Sequence, residues 1–272
     1  MKILSVVVTY FPNRKLLINN INAFIDSVDK VLIWENTPEN EKIHYRFVEC
    51  EKIEYCGDGI NSISHALNFA WIYAKKNGYN YILTMDQDSL WEDFCLYLNK
   101  TIFNKSMPLG IWGPNTFQQN FDKYIGLCQV DAIITSGMLL DVEIVDKIGG
   151  WNELFSIDCV DYEFCLKAKD VGVNVYLLGD CHLIQRYGTP KKVKMFGHEA
   201  QLRNDSPARL YSIYRSLVVL MRMFPSNLFL KRDFWDNWMG LIKWILVFED
   251  NRVKKVYAIF RGILSGIMFH IN

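Results

Sequence analysis

Three features of the 272-residue chain predict an α/β fold: a mostly parallel Rossmann-like sheet with helices on both faces, followed by a helical C-terminal region. Short β-branched runs alternate with helix-spaced segments through the first 90 residues. The fourth of these runs leads straight into Asp86-Gln87-Asp88. From Pro207 onward the sequence changes to helix-spaced stretches rich in Arg, Trp and Phe.

The elements follow in order. Ile3 to Thr9 is a continuous β-branched run, as expected of a strand buried on both faces, and Asn13 to Ser27 has apolar spacing suited to a helix. Val31 to Trp34 is a second strand, completing a βαβ unit. Ile53 to Tyr55 is a third, followed by Gly57-Asp58-Gly59 and a helix from Ile63 to Lys76 that Asn77-Gly78 ends. Tyr81 to Met85 is the fourth strand, so Asp86 and Asp88 stand at a carboxyl end, where open parallel sheets bind their ligands. Gly110 to Pro114 and Ile133 to Leu140 read as strands among loops. Asp161 to Asp170 reads as a helix ended by Gly172, and Val173 to Leu178 as a strand. The C-terminal helices span residues 208–223, 232–248 and 252–268. No repeat or Pro/Gly/Ser linker interrupts the chain, so the expected organisation is a catalytic domain over 1–205 with the helical region 206–272 packed on it.

Composition narrows the class. Half the residues are hydrophobic and 22% are charged, which excludes a disordered, fibrous or coiled-coil protein. Thirty basic residues balance thirty acidic ones, so net charge offers no case for a nucleic-acid partner. From Cys181 onward, however, 15 Lys and Arg face 6 Asp and Glu, leaving an acidic body with a basic tail. The seven cysteines, at 50, 56, 95, 128, 159, 165 and 181, show no CxxC spacing and read as reduced cytosolic thiols. The first apolar run is too short for a signal peptide. Lys243 and the Glu249/Asp250/Arg252 cluster break the most hydrophobic stretch below the roughly 18 residues a membrane-spanning helix needs.

The chemistry starts at the strand end. Asp86 and Asp88 flank one residue, so both carboxylates reach toward a common point at the sheet's rim. Two hard oxygen donors suit Mg²⁺ or Mn²⁺, ions held by one or two carboxylates together with substrate phosphates. A diphosphate ligand is the natural partner; the plain alternative is a solvated turn. Phosphotransferases of the haloacid dehalogenase type also place Asp-x-Asp after an apolar strand, with Thr or Val two residues on. Leu90 at that place, and a motif lying far from the first strand, argue against them. A second acidic cluster, Asp158, Asp161 and Glu163, opens the later helix. A carboxylate at a helix start is stabilised by free N–H groups and the dipole, stays ionised, and can cap the helix, serve as general base on a sugar hydroxyl, or do both.

Four blocks in sequence order resemble a family 2 inverting glycosyltransferase of the GT-A fold: Ser5 to Tyr10, Gly59 to Asn68, Leu83 to Ser89 with its Asp86-Gln87-Asp88-Ser89 wording, and Val160 to Lys167. With Ser206 to Arg215 and the closing Ala258 to Gly266, the chain is similar to the rhamnosyltransferase-like branch that builds bacterial surface polysaccharides. The resemblance implies roles position by position. Thr9 and Tyr10 line the nucleotide base, and Glu35, where the family usually has Asp, hydrogen-bonds it. Asp58 and Asn68 shape the donor pocket. Asp86 faces the donor's ribose or sugar and shares a metal, Mn²⁺ or Mg²⁺, with Asp88, which holds it on the diphosphate. Asp161 is the catalytic base, and Trp151 and Glu163 belong to the acceptor side, with a core anchor as the other reading of Trp151.

Two departures bear on the site. The family's His before a glycine near the metal corresponds here to Gln185 before Gly188, with His182 offset by three, so either His182 makes the metal contact or an amide replaces it. The Glu35-Asn36-Thr37-Pro38 turn replaces a more usual Asp-Asn-x-Ser, which bears on base or sugar preference. His65, His198 and His270 read as structural or solvated, and Arg203, Arg209 and Arg215 as a basic face open to diphosphate or solvent.

The implied reaction moves L-rhamnose from dTDP-rhamnose to a surface-polysaccharide acceptor with inversion, the acceptor lipid-linked and the protein cytoplasmic. Alternatives are a UDP-hexose or UDP-galactofuranose donor, and a non-catalytic nucleotide-sugar or glycan-binding module. In the tail, Trp235, Trp238, Ile242 and Ile245 share a helical face amid Lys231, Arg232, Lys243, Lys254, Lys255 and Arg261. That combination suits peripheral contact with the inner face of the cell membrane, against packing on the catalytic body or a homodimer.

Overall fold

The computed structural model describes residues 1–41, 50–116, 123–185, 191–195, 198–202, 204–235 and 239–271, with backbone alone at 39, 191–195, 198–202 and 239. Two compact units divide the chain, Met1–Arg186 and Tyr187–Asn272.

In the first unit the run Ile3–Thr9 forms β1, buried on both faces and therefore central. The other strands are β2 (Lys30–Glu35), β3 (Ile53–Cys56), β4 (Tyr81–Asp86), β5 (Leu90–Trp91), β6 (Ile111–Asn115), β7 (Leu127–Val130), β8 (Met138–Asp141) and β9 (Val175–Ile184). They form one sheet in the order β3-β2-β1-β4-β8-β6-β9-β5, with β7 also paired to β9. β1, β2, β3, β4, β6 and β9 run one way; β5, β7 and β8 run against them. Register aligns the strand ends. Thr9 pairs with Glu35 and Val8 with Asp86, so β1, β2 and β4 finish side by side at one rim.

Among the described residues of this unit the α-helices are α1 (Arg14–Asn22), α2 (Ile63–Asn77), α3 (Phe94–Lys100), α4 (Val142–Ile148) and α5 (Val160–Asp170). Their starts are chemically marked. Asn13, Ser62, Asp93 and Asp141 each accept a backbone N–H of the first turn, and α2 ends on Gly78 at φ +68°. The core on one side of the sheet joins Val7, Leu17, Ile21, Phe24, Phe94 and Tyr97.

The second unit contains a hairpin, β10 (Lys191–Met195) with β11 (His198–Leu202), and helices α6 (Pro207–Met223), α7 (Leu228–Asp233), α8 (Met239–Phe248) and α9 (Arg252–Met268). α6 and α9 lie closely together because α9 carries Gly262 and Gly266 on its buried face. A Cβ at Gly262 would stand 2.6 Å from the Tyr211 carbonyl, and one at Gly266 would stand 2.7 Å from Val218. Among the described residues no helix is long and apolar enough to cross a membrane.

Several sequence expectations are revised. The helix expected over 13–27 ends at Asn22 and is followed by a separate 3₁₀ turn, Ile25–Ser27. The strand expected from Ile133 begins only at Met138. Gly137 sits at φ +82° against Pro114 and Leu183, and the Met138 N–H bonds back to the Thr135 carbonyl, so 135–138 is a tight turn. The strand expected to stop at Leu178 continues to Ile184, because β5, β6 and β7 give it partners over its length. The helix expected over 232–248 is instead the end of α7 and the whole of α8; residues 236–238 lie outside the described set.

Candidate active site

Asp86 is the last residue of β4, at the rim where β1 and β2 also end. Its backbone is fixed from two sides. Its N–H donates to Ser136 Oγ at 3.1 Å, and its carbonyl accepts from Asn20 Nδ2 at 2.6 Å. Gln185, just past β9, donates from Nε2 to Asp86 Oδ2 at 3.0 Å. The residue is half-buried, and protein encloses its carboxyl enough to penalise the charged form. Burial first, then the charges of Asp88 and Asp161, push its pKa up to about 7 against the Gln185 hydrogen bond.

Asp161 sits in the first turn of α5, two residues past a helix start at Cys159 that has no side-chain cap and a left-handed backbone. It is therefore not the cap the sequence suggested. Burial pushes its pKa up to about 6, with Asp158 adding, while the Tyr162 and Thr135 N–H groups hold it down. At this helix start desolvation outweighs the stabilisation by free N–H groups and the dipole that the sequence suggested.

One turn that sequence reading took for a strand joins the two carboxylates. Thr84 of β4 donates from Oγ1 to the Thr135 carbonyl at 2.5 Å, and the neighbouring Thr135 N–H reaches Asp161. Ser136 Oγ accepts from Asp86 N–H and donates to Ser89 Oγ at 2.8 Å. Thr135 and Ser136 thus escaped sequence reasoning. The signal available was the Thr-Ser-Gly wording, in which the glycine permits the positive φ.

The residues that the resemblance places on the nucleotide side come together at the same rim. Thr9 is buried and donates to the Trp34 carbonyl at 3.1 Å. Tyr10 is exposed, and its backbone is clamped by Gln87: Tyr10 N–H donates to Gln87 Oε1 at 2.8 Å, and Gln87 Nε2 donates to the Tyr10 carbonyl at 3.1 Å. Glu35 Oε1 accepts the Thr37 N–H at 3.0 Å, and Thr37 Oγ1 accepts the Phe11 N–H at 2.8 Å. A chain of bonds thereby runs from the end of β2 to Phe11, whose φ of +44° is unusual for a bulky residue. Tyr10 and Phe11 meet edge to face at 4.7 Å.

Asp58 and Asn68 form a second network. Asp58 Oδ2 lies 2.7 Å from His65 Nε2, and Glu153 Oε2 lies 3.2 Å from His65 Nδ1. Although burial works against it, the hydrogen bonds His65 makes to the Glu153 and Asp58 carboxylates raise its pKa, so His65 bridges two loops. Asn68 grips Trp151 by its backbone, accepting the N–H at 2.8 Å and donating to the carbonyl at 2.9 Å. Trp151 itself is buried and stacked on Phe164 at 4.5 Å, the core-anchor arrangement. Glu163 is likewise buried, with Oε2 lacking a hydrogen-bond partner, and burial raises its pKa.

Of the two candidates near the glycine, Gln185 is the one placed on Asp86. His182 Nδ1 lies 2.9 Å from Glu92 Oε2, and three residues along a strand put its side chain on the opposite face from Gln185. Gly188 lies outside the described residues. Among the described residues no three His, Cys, Asp or Glu side chains are grouped to hold a metal unaided. The donor chemistry nevertheless fits a divalent cation. Burial and the charges of Asp88 and Asp161 raise the Asp86 pKa, a cost that a bound cation would relieve, and a cation that takes its remaining ligands from water and a diphosphate needs no more than one or two carboxylates.

No family model matches the chain. A curated relative, the dTDP-rhamnosyl transferase RfbF of Shigella flexneri, is 26% identical over 246 residues, covering 81% of this chain and 80% of its own. Among solved structures, Staphylococcus aureus TarS 1-349 with UDP-GlcNAc superposes with a TM-score of 0.58 at 13% identity, covering 97% of this chain and 81% of TarS. The mannosyltransferase PcManGT of Pyrobaculum calidifontis, with GDP-Man and Mn²⁺, gives 0.57 at 10% identity over 99% of this chain and 76% of its own. GalNAc-T7 with UDP, GalNAc and Mn²⁺ gives 0.55 at 9% identity, over 82% of this chain; the chain spans about half of GalNAc-T7, 48%. The chain thus shares the GT-A fold of these glycosyltransferases and is similar in sequence to a dTDP-rhamnosyl transferase.

Proposed function

We propose that this protein transfers L-rhamnose from dTDP-rhamnose to a saccharide acceptor of a bacterial surface polysaccharide, with inversion and with Mn²⁺ or Mg²⁺. The observation that carries the reading is the coupling of Asp86, Asp88 and Asp161 at one strand rim, the last through the Thr135–Ser136 turn. The name of the curated relative, a dTDP-rhamnosyl transferase, supports rhamnose as the donor sugar.

In this mechanism Tyr10, held by Gln87, and Glu35, bonded to Thr37, position the base, and Asp86 faces the ribose or sugar. Asp161 takes the proton of the acceptor hydroxyl, whose oxygen bonds to the anomeric carbon as the bond to the diphosphate breaks on the opposite side. A pKa of about 6 suits that role, since the base is ionised at neutral pH yet still basic enough to accept a proton. A cation held by Asp88 with Asp86 would neutralise charge on the departing nucleoside diphosphate. One displacement inverts the centre and requires no nucleophilic side chain.

A thermal-shift series with dTDP-rhamnose, UDP-hexoses and UDP-galactofuranose, each with and without Mn²⁺, tests the donor. At 100 times its dissociation constant the true donor adds about 2.7 kcal/mol. The expected result is metal-dependent stabilisation by dTDP-rhamnose that Asp88→Ala abolishes. Stabilisation by a UDP-sugar instead would replace the donor, and none by any nucleotide would favour a binding module. Asp161→Asn is expected to lower turnover roughly 10²- to 10⁴-fold with donor binding retained.

A further inference from the structure

Among the described residues, the helical unit carries an exposed apolar face on α9. Along α9, Val253, Tyr257, Phe260, Leu264, Ile267 and Met268 recur at helical spacing on one side, and each is more than half exposed. The opposite side, Lys255, Ala258, Ile259, Gly262 and Gly266, is the buried one that meets α6. This is not the stripe the sequence pointed to: Ile245 is fully buried and Trp238 lies outside the described residues. At about 1.5 Å per residue the 17-residue helix offers some 25 Å of apolar edge.

Charge indicates what the face meets. α9 contains Arg252, Lys254, Lys255 and Arg261 and no acidic residue. Lys255 is buried against Glu249, whereas Arg252 borders one side of the apolar stripe and Lys254 and Arg261 the other. Beside that second border, Lys254, Arg261, Tyr211 and Tyr257 line a cleft of about 470 Å³, with the Arg261 guanidinium over both rings at 5.5 and 5.9 Å. From Tyr187 on, 14 Lys and Arg stand against 6 Asp and Glu. A second copy of so basic a unit would bring like charges together across the apolar stripe, while an anionic surface satisfies both the apolar and the basic features.

We propose that α9 is a membrane-docking helix, laying Val253, Tyr257, Phe260, Leu264 and Met268 into the boundary of an anionic lipid bilayer, with a lipid phosphate in the Lys254/Arg261 cleft. This goes beyond the glycosyl-transfer reading and is measured without turnover, so either can fail while the other stands.

The test is flotation of the purified full chain with vesicles of phosphatidylcholine alone and of phosphatidylcholine with about one third phosphatidylglycerol, at low and high salt. The expected result is binding to the anionic vesicles that falls with salt, and that drops at least tenfold in Phe260→Asp/Leu264→Asp and in Lys254→Glu/Arg261→Glu. Both pairs are surface changes, and a melting curve identifies any variant that unfolds, in which case the other decides. Failure to bind anionic vesicles at low salt, equal binding by folded variants, or a wild-type dimer that Phe260→Asp/Leu264→Asp splits to monomers would overturn the proposal.

Discussion

Asp86 and Asp161 share one physical condition: each is a carboxylate whose surroundings oppose its charge. Two consequences follow. Turnover should fall as pH drops through about 6, because a protonated Asp161 cannot accept the hydroxyl proton; a kcat profile flat from pH 5 to 8 would contradict that role. For stability the sign is opposite to that of a salt-bridged acid. Both folded pKa values lie above the unfolded carboxylate range near 3.9, so their stabilising contribution is complete at low pH and is lost as pH rises toward 6 and 7. Asp86→Asn should therefore melt higher than wild type at pH 8, by on the order of 1–4 kcal/mol, with little difference at pH 4. Gln87 gives a different kind of test. Its side chain holds the Tyr10 backbone from both sides, so Gln87→Ala should raise donor KM several-fold while kcat changes less. An unchanged KM would mean that the clamp has no part in donor binding.

At the scale of elements, glycines set how closely segments approach, and two of them give tests. Gly150 has φ +70°, and a Cβ there would stand 2.5 Å from the Trp71 ring and 2.8 Å from Asn68 Oδ1. Since Asn68 holds the Trp151 backbone, Gly150→Ala should disturb the loop beside α5 as well as strain its own turn. Gly262 does the same for the helical unit. Gly262→Leu would drive a side chain into the Tyr211 carbonyl and should separate α6 from α9, lowering the melting temperature by a margin equivalent to roughly 1–3 kcal/mol. The ends of α9 and α6 are tied independently: Arg222 donates to the carbonyls of Gly266 and Phe269 at 2.7 and 2.6 Å, satisfying groups a helix end leaves open. Elements with strong local signals were legible in advance. α2, expected from Ile63 to Lys76 by its spacing and its Asn77-Gly78 end, runs Ile63–Asn77, and α6, expected over 208–223, runs Pro207–Met223. The turn at 135–138 was not, because a β-branched apolar string looks the same whether remote partners pair it or a glycine bends it.

For the whole molecule, the sequence alone determined the alternation of strand and helix, the parallel strands β1 to β4, and the placement of Asp86 and Asp88 at a strand's carboxyl end. These are local properties, since a continuous β-branched run makes a buried strand and the residue after it must emerge at the rim. Other features were decided only by tertiary structure. Gln185 reaches Asp86 while His182 turns to Glu92, because the length and register of β9 assign alternate residues to opposite faces. Asp161 joins Asp86 through Thr135 and Ser136, residues some 50 positions along the chain from Asp86 and Thr84. Ile245 went inward, and the apolar side of α9 stayed open to solvent. An apolar helix face carries no local mark of what will cover it; only the packing of distant segments decides which side is buried and which is left for something else.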